Sequence, residues 1–240
     1  MLILGIDTSG RQGSVALLRA QGDQLLTLEL ELLAGGQYSE ALVPTIAGLL
    51  LRHGLERSAI GLIAVASGPG SFTGLRVAIA TVKGLAEAFA TPVVAVSVLE
   101  AIALASAAQG KVMAAMDAQR SEVFFGEYIV ESARPESAHP QAAWMLREAI
   151  ASFADFTRVL AAGDPAMKVF TPDDALSARL REAGFDAHLL ARPSAEAIAH
   201  IAHRKFLAGE CADVATLDAN YLRRSDAEIF SAPKPAAAPH

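Results

Sequence analysis

The sequence predicts a two-lobed α/β protein whose mixed sheets are covered by helices, and three observations predict it. A pair of β-type runs, Leu2 to Asp7 with Ser14 to Arg19, returns later as Lys111 to Asp117 with Glu122 to Val130. In both pairs the first run ends in aspartate and leads into a polar turn, which is the mark of a degenerate duplication. Between the pairs lies Ser67-Gly68-Pro69-Gly70-Ser71-Phe72-Thr73-Gly74-Leu75-Arg76, a glycine-rich passage from a buried strand into a helix. The chain has 240 residues, 52% of them hydrophobic. That is enough for one generous core or two lobes of roughly 100 residues each.

The elements follow in order. The third β run, Gln24 to Leu33, completes an antiparallel meander with turns at Gly10, Gly13, Gly22 and Asp23. A helix is expected from Ser39 as N-cap to about His53, with Pro44 near its first turn. A buried strand spans Leu62 to Ala66, a helix about Thr73 to Ala90, and another buried strand Val93 to Ser97. After the second hairpin comes a linker rich in Pro, Ser and Ala, Ser132 to Gln141. The remainder reads as helix, strand (Arg158 to Ala162), helix (Asp173 to Ala183), short strand (His188 to Leu190) and helix (Ser194 to Leu207). The expected division is a first lobe over 1–98, a second over 99–230 and a disordered tail over 231–240, where Ser231 to His240 holds three prolines and four alanines.

Composition narrows the function. One cysteine, Cys211, excludes an internal disulfide and a thiol-rich metal site and fits a reducing, cytosolic setting. The net charge of −6 supplies no global field for nucleic acid. The start has no basic region before an early aspartate, so it reads as a strand and not a leader. The longest apolar region, Pro92 to Ala108, is interrupted by Ser97, Glu100 and Ser106, so no membrane segment is expected.

A glycine cluster between strand and helix can present backbone N–H groups to a phosphate. The spacing here is neither a Walker A loop nor a nucleophile elbow, and Val93 to Ser97 carries no terminal acid for a ribose. The alternative is a tight turn with Gly74 permitting close helix packing. The helix that follows confines Arg76, Lys83 and Glu87 to one stripe. Leu75, Ile79, Val82, Leu85 and Phe89 suit a sheet, while Val77, Thr81, Gly84 and Ala88 form a flatter stripe suited to close helix contact. The Ser39 helix carries Leu42, Val43, Ile46, Ala47, Leu49, Leu50 and Leu51 over about 200° of arc. Such surplus suits a partner face, or packing of the helices on each other and on the second lobe.

The same residues resemble the TsaB family of tRNA threonylcarbamoyladenosine biosynthesis proteins, also called YeaZ. Ser67 to Arg76 matches its most distinctive segment, and Ile6-Asp7-Thr8-Ser9, Ser14-Val15-Ala16-Leu17, Ser39-Glu40, Leu42, Pro44, Asp117-Ala118, Arg120, Glu122, Val123 and Tyr221-Leu222-Arg223 agree in order. The resemblance is dense over about residues 2–130 and thin beyond. Tyr38 stands where that family often has histidine, and Ala219 where it often has proline.

The resemblance implies an actin-like, sugar-kinase and Hsp70-like fold, a non-catalytic role beside a catalytic paralogue TsaD and the ATPase TsaE, and contact with tRNA through that complex; in isolation the sequence leaves monomer and homodimer both open, since one apolar face can serve either partner. TsaD places a pair of metal-binding histidines four apart after a buried strand; here Val98 and Ile102 occupy those positions, and aliphatic side chains bind no cation. No catalytic, cofactor-binding or metal-binding residue is therefore assigned. The expected partner interface is Leu42, Ile46, Leu49 and Leu50 on one helix with Val77, Thr81, Gly84 and Ala88 on the other. Two weaker chemical readings stand beside it. Glu196, His200 and His203 share a helical face that reads as solvated sooner than as a metal site. Asp7 and Asp117 cap turns, or bind phosphate or metal as in the fold's ATPases and kinases.

Overall fold

A computed structural model describes residues 1–21, 24–131, 142–220 and 222. The chain builds the same unit twice. In the first, β1 (Leu2–Asp7), β2 (Gln12–Gln21) and β3 (Gln24–Ala34) form an antiparallel meander, followed by α1 (Tyr38–Arg52), β4 (Ile60–Gly68), α2 (Phe72–Phe89), β5 (Val93–Ser97) and α3 (Val98–Ala105). In the second, β6 (Gly110–Asp117), β7 (Glu122–Glu131) and β8 (Ala142–Ser152) are followed by α4 (Phe153–Ala162), β9 (Lys168–Thr171), α5 (Asp174–Glu182), β10 (Ala187–Leu189) and α6 (Ala195–Leu207). The two sheets have the orders β3-β2-β1-β4-β5 and β10-β9-β6-β7-β8. Each joins an antiparallel hairpin side to a parallel side.

Three apolar clusters fill the layers. The central one lies between the sheets and joins Ile3, Leu18, Leu62 and Val96 to Val112, Phe124, Tyr128 and Phe170 around α3 and α6. The outer two lie beneath α1 and α2 on the first sheet and beneath α4 and α5 on the second. α6 packs on the first sheet although it follows the second in sequence. A strap after it stays there, with the Ala212 N–H donating to the Val93 carbonyl at 2.8 Å and Leu217 and Ala219 buried beside α1 and α2. Among the described residues no helix is long and apolar enough to cross a membrane.

Several boundaries differ from the expectation. Gln37, not Ser39, precedes the first helical residue of α1. α3 emerges from within the apolar region Pro92 to Ala108, capped by Ser97, whose hydroxyl accepts from the Leu99 and Glu100 N–H groups. The larger correction lies between 142 and 171. The expected helix there is the edge strand β8, the expected strand Arg158 to Ala162 is the end of α4, and β9 was not foreseen. β8 is rich in helix formers, but pairing with β7 over its whole length overrides propensity. α4 did carry a start signal, because the Ser152 hydroxyl accepts from the Asp155 N–H at 3.1 Å. The turn at Gly22 and Asp23, the 132–141 linker and the 231–240 tail lie outside the described residues.

One ion pair is set inside the central layer. Lys205 of α6 donates to Glu100 of α3 at 2.6 Å, and Glu100 is buried. Burial pushes the Glu100 carboxyl above its ordinary value of 4.5, and Lys205 only partly offsets this. The folded state therefore holds that proton more tightly than the unfolded chain does. Stability contributed at this position is present at acid pH and is lost as pH rises through the raised value. Glu100→Gln is expected to flatten that fall above about pH 4.5, read as urea midpoints across a pH series.

Candidate functional site

The glycine-rich turn is clasped by the first hairpin. The Ser71 N–H donates to the Ser9 carbonyl at 2.7 Å, and the Thr8 hydroxyl donates to the Gly74 carbonyl at 2.7 Å. Ser71 caps α2, its hydroxyl accepting from the Gly74 N–H. A Cβ at Gly70 would lie 2.3 Å from the Ser9 carbonyl oxygen, and one at Gly74 would lie 2.0 Å from that of Thr8. These glycines thus admit the chain's own backbone. The Ser71 and Gly74 N–H groups are engaged by protein oxygens, which fits the tight-turn reading.

An interlobe cleft of about 1360 Å³ opens beside the clasp, lined from both hairpin turns, the glycine turn, Asp173 and Arg192. Asp7 and Asp117 occupy equivalent places, at the ends of β1 and β6. Each carboxylate accepts from the N–H two residues on, Ser9 at 2.8 Å and Gln119 at 2.9 Å, so both cap their turns. Arg192 donates to the Ser9 hydroxyl at 3.0 Å, and Tyr38 donates to the Gly10 carbonyl at 2.8 Å. Tyr38 thus braces α1 against the first hairpin, a role that its sequence position did not reveal. Asp173 accepts from the Asp117 N–H at 2.7 Å, and burial raises its carboxyl above the usual range.

The expected partner residues divide into two groups. Leu42, Ile46, Leu49 and Leu50 are buried in the outer core of their own lobe, so as docking residues they are corrected here. The surplus arc was spent on the sheet and on α2. The α2 members lie at the surface, with Val77 and Thr81 half-buried and Gly84 and Ala88 exposed. Beside them α1 presents Val43 at 54% exposure, Ala47, and Leu51 at 81%. Phe89, expected on the sheet, is 38% exposed and shares a shallow pocket with Ala47, Leu51 and Leu55. The exposed apolar surface therefore runs along the outer side of both helices.

Other candidates fall away. Val98 and Ile102 are fully packed in the central core. Glu196 accepts from Thr27, and His203 is buried, because α6 packs across the first sheet and against α3. Among the described residues no three His, Cys, Asp or Glu side chains are grouped to hold a metal.

Duplicated hairpin-led lobes enclosing a cleft, with paired helices between two mixed sheets, define the actin-like, sugar-kinase and Hsp70-like class of two-lobed folds. A family model described as TsaD, tRNA N6-adenosine threonylcarbamoyltransferase, matches residues 32–170. The tRNA threonylcarbamoyladenosine biosynthesis protein TsaB of Bacillus subtilis is 30% identical over 237 residues, covering 95% of this chain and 96% of that one. The TsaB proteins of Haemophilus influenzae and Escherichia coli are each 34% identical, the match spanning 57% and 55% of their own lengths. Two Pseudomonas aeruginosa structures, one described as YeaZ and one as similar to peptidase YeaZ, superpose with TM-scores of 0.71 and 0.74 at 28% identity. They cover 92% of this chain and 99% of theirs. The chain belongs to the TsaB (YeaZ) family.

Two glycines of α2 separate the clasp from the surface. Gly74→Ala is expected to lower stability by about 3 kcal/mol or more, since backbone must move. A methyl group at Gly84 would meet nothing within 4 Å, and Gly84→Ala should raise stability of the isolated chain by about 0.5–1 kcal/mol. Thermal melts of the two variants check the opposite signs.

Proposed function

We propose that this chain is a non-catalytic partner subunit in formation of N6-threonylcarbamoyladenosine in tRNA, supporting a TsaD-type subunit that performs the transfer, with TsaE as a further component and tRNA engaged through the assembly. The observation that carries this reading is the outward apolar face of α1 and α2. Leu51 is 81% and Val43 54% exposed, beside the Gly84 and Ala88 surface. Small residues next to protruding ones let two helix pairs approach closely and interdigitate. The proposed interface is therefore Val43, Ala47 and Leu51 with Val77, Thr81, Gly84 and Ala88.

The packing of Val98 and Ile102 in the core supports a role without metal chemistry, since neither position offers a donor atom. It also speaks against a peptidase. The interlobe cleft favours a second reading, a small-molecule kinase or ATPase. Magnesium-dependent ATP hydrolysis by the chain alone would support that reading, and its absence the first.

Ala88→Glu and Leu51→Asp each place a charge on the helix face, where no core contact is lost. Each is expected to abolish co-elution with TsaD in size-exclusion chromatography while the circular dichroism spectrum is retained. Co-elution of both variants at full stoichiometry would remove the face from the interface. A wild-type chain that runs as a dimer and becomes monomeric with either change would place a second copy on the same surface.

A further inference from the structure

One carboxylate joins three parts of the molecule that are far apart in sequence. Glu148 lies on β8, the edge strand of the second sheet. Its Oε1 accepts from the hydroxyls of Ser97, at the end of β5 in the first sheet, and of Tyr128 on β7. Its Oε2 accepts from the Asn220 side-chain amide at 2.6 Å. The Asn220 backbone N–H in turn donates to the Ser67 carbonyl at 2.7 Å, where the glycine turn begins. The strap leading to Asn220 is held on the first sheet by Ala212 and by Lys83, which donates to the Ala215 carbonyl at 3.2 Å.

The surroundings fit this carboxylate closely. Tyr128 is 1% exposed and lies against Gly126, where a Cβ would meet its ring at 2.6 Å. Burial and the nearby carboxylate raise the Tyr128 hydroxyl well above its ordinary 10.0, so it remains a donor. An ionised carboxylate has no proton to give and accepts from all three donors at once, and such charge-assisted bonds are stronger than neutral ones.

We propose that Glu148 is a positioning residue, an interlobe latch that holds the C-terminal strap against the glycine turn and so fixes, from the second lobe, the start of α2. The latch belongs to the chain alone. Its effect on docking rests on the partner face proposed above.

The test exploits the chemistry of the pair. Asn220→Asp sets two carboxylates against each other, and adding Glu148→Gln restores a donor and an acceptor with the polarity reversed. Amide hydrogen exchange of the uncomplexed chain, followed by NMR, reads the residue 220 amide. The β6 and β7 amides serve as internal reference. Asn220→Asp is expected to speed exchange at residue 220 by about tenfold or more while the reference amides stay protected, and the double variant to return it to within roughly threefold of wild type. Unchanged exchange in Asn220→Asp, uniform loss of protection in both lobes, or no recovery in the double variant would each overturn the latch. If Asn220→Asp fails to fold, a cycle of Glu148→Ala and Asn220→Ala replaces it, and coupling below about twofold at the same amide overturns the proposal.

Discussion

The backbone of Thr8 and Ser9 lies directly against the backbone of Gly70 and Gly74, and the first lobe is organised around that approach. Side chains cannot occupy the space, since a Cβ at either glycine would overlap a carbonyl oxygen. The contact is then closed by a hydrogen bond in each direction, Ser71 to Ser9 and Thr8 to Gly74. Because backbone contacts have little freedom to adjust, they fix where α2 leaves the sheet more tightly than side-chain packing would. α1 is tied to the same hairpin through the Tyr38 hydroxyl, so the direction of both helices traces back to one turn. The Ser71 and Gly74 N–H groups are consumed within the clasp, which is what a tight turn requires.

The second lobe solves the equivalent problem differently. Its β9-to-α5 passage has no glycine cluster, and the contact to its hairpin is made by a side chain, the Asp173 carboxylate accepting from the Asp117 N–H. A side-chain bridge tolerates more sequences than a backbone clasp. The two sheets nevertheless share the same strand order.

Legibility in the sequence followed the same physics. Hairpins, buried parallel strands and the glycine turn were readable because each is dictated locally, by alternation, by apolar runs or by steric exclusion. β8 was not, because Trp144, Met145 and Leu146 are exposed on an edge strand and leave no alternating pattern. The burial of His203 was equally hidden: whether a helix carrying Glu196, His200 and His203 faces water depends on its packing back across the first sheet, which no local pattern encodes. On α2, the stripe read from periodicity lies toward the surface, with Gly84 and Ala88 exposed. Periodicity could not decide which side of the broad apolar arc of α1 faces inward. Leu42, Ile46, Leu49 and Leu50 went to the core and left Val43, Ala47 and Leu51 outside.

The duplication supplies an internal control for that outer face. α5 covers the second sheet as α2 covers the first, each crossing between parallel strands. The solvent side of α5 carries Asp174, Arg179, Arg181 and Glu182, the ordinary surface of a helix that meets only water. α4 likewise exposes Asp155 and Arg158. A sheet-covering helix of this fold can therefore carry an outer side of charged residues and alanine, with no large apolar side chain exposed. The large apolar residues left outside on α1 and α2 depart from that pattern, with Leu51 exposed beside Phe89. A partner helix pair seated between those residues, as proposed above, would remove them from water.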